Sequence, residues 1–200
     1  CSYLKKATDA NHKELYHKFK EIFSGLKSET VLEELAKYAP IYHWILKGGD
    51  TGCDEVNYEL NDIHTLRVTT AYSFLMGLLA KWQDGRFTDP EMAEILDAFR
   101  IYCMRRRLMT LTAAENKILP TLVDRIDELE NSHDKRQKMF DILANLESNA
   151  RLPNDLELTR YLETANFYNY QYCKLVLAMI EEKITKNRPD ISEKKLQIAD

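Results

Sequence analysis

Three consecutive arginines, Arg105, Arg106 and Arg107, close an apolar run and precede a turn and the pair Asn116-Lys117 in "YCMRRRLMTLTAAENK". Guanidinium groups can grip phosphate bidentately, offset the negative C-terminal end of a helix, or anchor a buried carboxylate. Upstream, Met92, Leu96, Phe99 and Cys103 recur at helical spacing. Extending that stripe at about 100° per residue carries Arg106 onto the buried line, turns Arg105 to solvent and leaves Arg107 on the flank. Arg106 is therefore expected to be a structural anchor, with Arg105 and Arg107 as solvated charges in a last turn. A buried guanidinium needs a partner, and Glu115, arriving from the next turn, can supply one if it leaves its capping role. Phosphate or partner contact by Arg105, Arg107 and Lys117 is the second reading. Lys135, Arg136 and Lys138 would then continue the same backbone track.

Other chemistry is thin. His12 and His17 are five residues apart, which separates their side chains by about 140° on a helix and disfavours a shared metal. No H-E-x-x-H, P-loop or dinucleotide fingerprint occurs. His64, beside Asp62 and Arg67, is the one histidine with a candidate functional setting. Cys1, Cys53, Cys103 and Cys173 stand far apart without a C-x-x-C pair, as free thiols in a reducing cytosol do. The aromatic run "NFYNYQYCK" could stack bases, but Phe167, Tyr170 and Cys173 at helical spacing read better as core. No catalytic set, metal or cofactor is expected. The acidic clusters "DRIDELE" and "IEEK" read as solvated helix faces.

The elements that must hold these residues are helical. Only six glycines and five prolines punctuate 200 residues, too few for a sandwich of short strands. "SETVLEELAKYAPIYHWILKGG" offers a Thr30–Glu33 capping box, a stripe of Leu32, Leu35, Ala39, Tyr42 and Leu46, a kink at Pro40 and a stop at Gly48-Gly49. A preceding helix, His12–Phe23, carries Leu15, Phe19, Ile22 and Phe23. A short helix near Glu55–Leu66 leads into one apolar on most sides, with Ala71, Phe74, Leu75, Leu78, Leu79 and Trp82 on one face. Thr88–Glu91 and Thr112–Glu115 form further capping boxes, and Pro120 splits the element that carries Leu119 to Leu129. Cys173, Val176, Leu177, Ile180 and Ile184 share a face of the last helix. The expected fold is all-α, an irregular bundle of eight or nine helices without a sheet, in one domain over residues 1–200 with a subdomain boundary near 131–134. A net charge of −4 gives no general pull toward nucleic acid or anionic lipid. The longest uncharged run, Val68–Ala80, is too short to span a bilayer, so a cytoplasmic protein is expected.

Three segments in order, "LNDIHTLRVTTAYSFLMGLL", "YCMRRRLMTLTAAENKILPTLV" and "NFYNYQYCKLVLAMIEEKI", resemble the helical middle region of the GmrSD-like restriction proteins. Those bacterial proteins flank it with a ParB/sulfiredoxin-like module and an HNH-nuclease module. The resemblance implies a piece of a longer parent that cleaves foreign or modified DNA in phage defence. Neither the D-G-Q-Q-R-type motif nor the H-I-M-P-like motif of those modules occurs here, so this piece is expected to be no enzyme itself. In similar proteins a helix ending in paired arginines is followed by a turn and Asn-Lys, matched by Arg105, Arg106, Asn116 and Lys117. That match implies an anchored corner at Arg106, Glu115 and Asn116 with a basic edge. The implied partners are the two flanking modules, DNA along that edge, and a second copy if exposed aromatic residues pair two chains.

Overall fold

Apolar stripes at helical spacing, broken by caps and glycines, become helices throughout the part of the chain that the computed structural model describes. That part is residues 17, 20–21, 23–111, 115, 119–166 and 171–185, with backbone alone at 148, 182 and 183. Among them stand α1 (Ser28–Lys47), α2 (Asp54–Thr65), α3 (Tyr72–Gln83), α4 (Asp89–Leu108), α5 (Ile126–Glu130), α6 (Lys135–Ala144), α7 (Asp155–Thr164) and α8 (Cys173–Thr185). Three 3-10 segments, Thr69–Ala71, Leu119–Arg125 and Ser148–Ala150, link them, and no strand occurs among the described residues. The fold is an all-α bundle.

Helix α4 is its axis, packed against α2 and α6, while α3 packs against α1 and the Leu119–Arg125 segment. Its start is fixed by sequence: the Thr88 hydroxyl accepts from the Glu91 amide, and the Glu91 carboxylate accepts from the Thr88 amide at 2.8 Å. Met92, Ile95, Leu96, Ala98, Phe99, Tyr102, Cys103, Met104 and Leu108 are all buried, so α4 meets neighbours on nearly every side. Phe74 of α3 tilts onto Phe99, with ring centres 5.2 Å apart, and Phe99 stacks on Tyr102 at 6.0 Å. Each such side chain stabilises the fold by about 1.5–3 kcal/mol on full burial. The apolar helix α3 is buried on most sides, Ala80 included. One hydrophobic cluster runs from Ile41 to Leu175 and takes in Leu129 and Met139, on either side of the 131–134 turn.

Four local expectations are corrected. Helix α1 begins at Ser28 behind Lys27 with no side-chain cap, so Thr30 already lies within it; Pro40 lies inside the helix. Its stripe Leu32, Leu35, Tyr42 and Leu46 is exposed; Ile41 and Ile45, supported by Tyr38 and Trp44, face the core instead. On α8, Leu177, Ile180 and Ile184 are exposed, and Leu175, Val176 and Met179 make the contact. After Pro120 the longer helix expected is a seven-residue 3-10 run, Leu119–Arg125, that passes into the five-residue α5; the turn expected before Pro120 lies outside the described residues apart from Glu115, which is helical. The Thr112–Glu115 cap, apart from Glu115, and the His12–Phe23 helix, apart from a few residues, lie outside the described residues.

The end of α1 shows why the glycines sit where they do. Gly48 has φ +71°, and a Cβ there would lie 3.0 Å from Cβ of His64 and 3.1 Å from Cα of Asn61. Only a residue without a side chain lets α1 stop against α2.

Candidate functional site

The last turn of α4 meets the segment 149–155 and the Glu115 carboxylate. Tyr102, Arg105 and Arg106, at i, i+3 and i+4, share one helical face and reach three carbonyls of that segment. The Tyr102 hydroxyl donates to Ala150 at 2.7 Å, Arg105 donates to Pro153 at 2.9 Å, and Arg106 donates to Asn149. Arg106 is fully buried, with its guanidinium 5.5 Å from the Tyr102 ring centre. Glu115 forms ion pairs with both neighbours, Arg106 Nε lying 3.5 Å from Oε1 and Arg107 Nη2 3.1 Å from Oε2. Arg107 also donates to the Leu66 carbonyl at 3.3 Å, and Arg105 pairs with Asp155 at 2.7 Å.

The anchor expected at Arg106 with Glu115 is therefore present, and Glu115 gives its carboxylate to arginines. Asn116 and Lys117 lie outside the described residues. Arg105 and Arg107 differ from the solvated charges expected of them: their side chains are only 25% and 13% exposed, because the folded-back 149–155 segment and Glu115 cover them. The remaining basic candidates are also engaged. Lys135 donates to the Glu130 and Ser132 carbonyls at 3.0 and 2.6 Å, Arg136 holds Asp97 at 2.6 Å, and Lys138 meets Glu128 at 3.0 Å. Arg125 and Lys138 together hold the Glu128 carboxyl at about 2, well below its ordinary 4.5.

Sequence reading missed a second charged cluster, between α2 and α4. Arg100 donates to Glu59 at 2.5 Å, to Asp62 at 3.3 Å and to Asp97 at 2.7 Å. Glu59 and Asp62 are 3% and 0% exposed. Three carboxylates thus face Arg100 and the outer Arg136, leaving one excess negative charge. Burial above all, with repulsion from Asp97 and Asp62, outweighs the attraction of Arg100 and lifts the Glu59 carboxyl to about 7. The matched spacing E-x-x-D on α2 and D-x-x-R on α4 is the signal that could have found it. Each pair occupies one helix face, and the two faces meet.

Asp62 turns to Arg100 and not to His64, which is exposed. Cys53 and Cys173 are half-buried free thiols, and Cys103 is buried, where desolvation pushes its thiol upward. No group of three metal-ligating side chains occurs among the described residues, and no helix there is long and apolar enough to cross a membrane. Beside the arginine corner a surface notch of about 210 Å³ is lined by Met109, Leu111, Asn149, Arg151, Pro153 and Glu157. Its one cation, Arg151, is bound by Glu157 at 2.9 Å. The notch offers neither a nucleophile held by a base nor an unneutralised anion hole. No protein-family model matches the chain, and no curated protein or solved structure matches it either.

Proposed function

We propose that this chain is a non-catalytic helical scaffold that positions the nucleotide-linked and HNH-nuclease modules of a longer, modification-dependent restriction protein in bacterial phage defence. The parent's identity rests on the three ordered segments that resemble the GmrSD-like middle region. The scaffold role rests on one observation. All three guanidiniums of the arginine corner are engaged by acceptors of this same chain, at Asn149, Pro153, Leu66, Glu115 and Asp155. A phosphate-reading edge keeps donors facing solvent; a structural clamp spends them internally. The clamp fixes the end of α4 to the segment that leads into α7, so a displacement at one is felt at the other.

The test is a fluorescence-anisotropy titration of a labelled DNA duplex with the 200-residue chain at low and at moderate salt. The scaffold reading expects no salt-sensitive binding. Binding that falls steeply with salt, and is lost on changing Arg105 and Lys117 to Ala, would overturn it in favour of a DNA edge.

A further inference from the structure

Helix α1 carries two apolar faces. One packs into the core through Tyr38, Ile41, Trp44 and Ile45. The other, roughly a third of a turn away, is the stripe Leu32, Leu35, Ala39, Tyr42 and Leu46. Its spacing of three, four, three and four residues is that of alternating a and d positions in a heptad. Leu32 is 65% exposed, and Leu35, Tyr42 and Leu46 are 47%, 44% and 42% exposed. The Tyr42 ring stands edge-on to Tyr72, with centres 6.3 Å apart, which sets it at the border of the stripe. Pro40 projects about 120° from the stripe's centre, so its ring stays clear of the seam. A heptad stripe of this length is the pattern of a helix seam and exceeds the scattered single apolar residues of an ordinary surface.

The geometry points to a second copy of this chain as the occupant, docked through α1 against α1 in antiparallel register. Two observations favour that partner. The first is charge: the acidic residues of α1, Glu29, Glu33 and Glu34, lie in its first half, His43 and Lys47 lie near its end, and Lys37, at its middle, is held by Asp84 at 2.8 Å. Antiparallel docking sets unlike ends together, and parallel docking sets like with like. The second is size. In an antiparallel seam a positions face d positions, so Leu35 meets Leu46 of the other copy, and small Ala39 receives Tyr42 in two symmetric layers. The seam is short, which makes a dimer that dissociates on dilution. It depends on none of the family resemblance and adds a symmetric contact to the scaffold.

The experiment is sedimentation of the full 200-residue chain over two decades of concentration, with Leu35→Glu and Leu46→Glu alongside. The wild type should pass from monomer to dimer. Each variant should raise the dimer dissociation constant at least about tenfold, with its urea midpoint unchanged, because the altered side chain is already exposed. A chain carrying both Leu35→Cys and Leu46→Cys fixes the direction. The two positions are about 16 Å apart along one helix, so a 35–46 disulfide can form only between copies. Peptide mapping after oxidation should find that link, whereas 35–35 and 46–46 links would overturn the antiparallel register. A wild type that stays monomeric throughout overturns the proposal. If Leu35→Glu then lowers the urea midpoint, the stripe belongs to this chain's own segment 12–23. If the midpoint holds, the stripe belongs to another module.

Discussion

Replacing Arg106 by Ala should be the most damaging change at the arginine corner. The side chain is fully buried, so the variant gains nothing from hydration of what remains. It strips the Asn149 carbonyl of its donor in a part-buried contact, which costs about 1 kcal/mol. It also takes a guanidinium from Glu115, whose carboxylate is nearly buried and keeps Arg107 at 3.1 Å. Breaking a buried ion pair costs about 3–5 kcal/mol, and the void left by the arginine stem acts in the same direction. The expected loss is about 3–5 kcal/mol, or a fall in Tm of about 6–20 °C for a domain of this size. Arg105→Ala should cost about 1–2 kcal/mol, since Asp155 is 89% exposed and water can replace that contact, while the Pro153 carbonyl loses a part-buried donor. Arg107→Ala should fall between them. Urea unfolding followed by circular dichroism gives the ranking, and a cycle with Glu115→Ala should return a coupling of about 1–3 kcal/mol. An Arg106→Ala variant within about 1 kcal/mol of wild type, or three equal arginine variants, would refute the clamp.

Two further outcomes follow from geometry described above. Because Glu59 binds its proton near 7 in the fold against an ordinary 4.5, the folded state holds more protons between those values, and stability should fall as pH rises from 4.5 to 7. Urea midpoints across that range should show a decline of about 3 kcal/mol that Glu59→Gln flattens, and an unchanged slope in the variant would contradict the assignment. Gly48→Ala should cost about 1–3 kcal/mol, since it adds both a left-handed strain at φ +71° and a Cβ against α2. Gly52→Ala, with φ +86° and open space, should cost only the strain, so equal losses in thermal melts would show that the close approach does not matter.

Much of this architecture was legible because single residues carried sharp local signals. Thr88 and Glu91 fixed the start of α4, and the Met92–Cys103 stripe carried Arg106 into the core before any coordinates. What failed to show is equally physical. Helix α1 has two apolar stripes, and periodicity cannot say which one meets the core, since that depends on where α3 lies. The same ambiguity misassigned Leu177, Ile180 and Ile184 on α8. Glu59, Asp62, Asp97 and Arg100 read as ordinary solvated charges, because burial of a polar face is decided by the helix that happens to oppose it. Arg105 looks exposed in sequence because the segment that covers it begins more than forty residues later, and Arg107 because its partners, Leu66 and Glu115, come from two other parts of the chain. The seven-residue 3-10 run Leu119–Arg125 carries no signal that separates it from an α-helix, since Leu119, Leu122, Val123 and Ile126 suit either.

The clamp on residues 149–153 reads its target through main-chain oxygens. Tyr102, Arg105 and Arg106 bond the carbonyls of Ala150, Pro153 and Asn149, and the Leu152 amide donates to the Leu143 carbonyl at 2.9 Å. Main-chain groups are common to every residue type, so these bonds fix the path of the gripped segment without specifying its letters. Its side chains are constrained separately, where Ala150 is buried and Leu152 packs on the core. Divergence should therefore gather at the exposed positions Asn149 and Arg151 of the segment, opposite a tyrosine and two arginines held at fixed intervals.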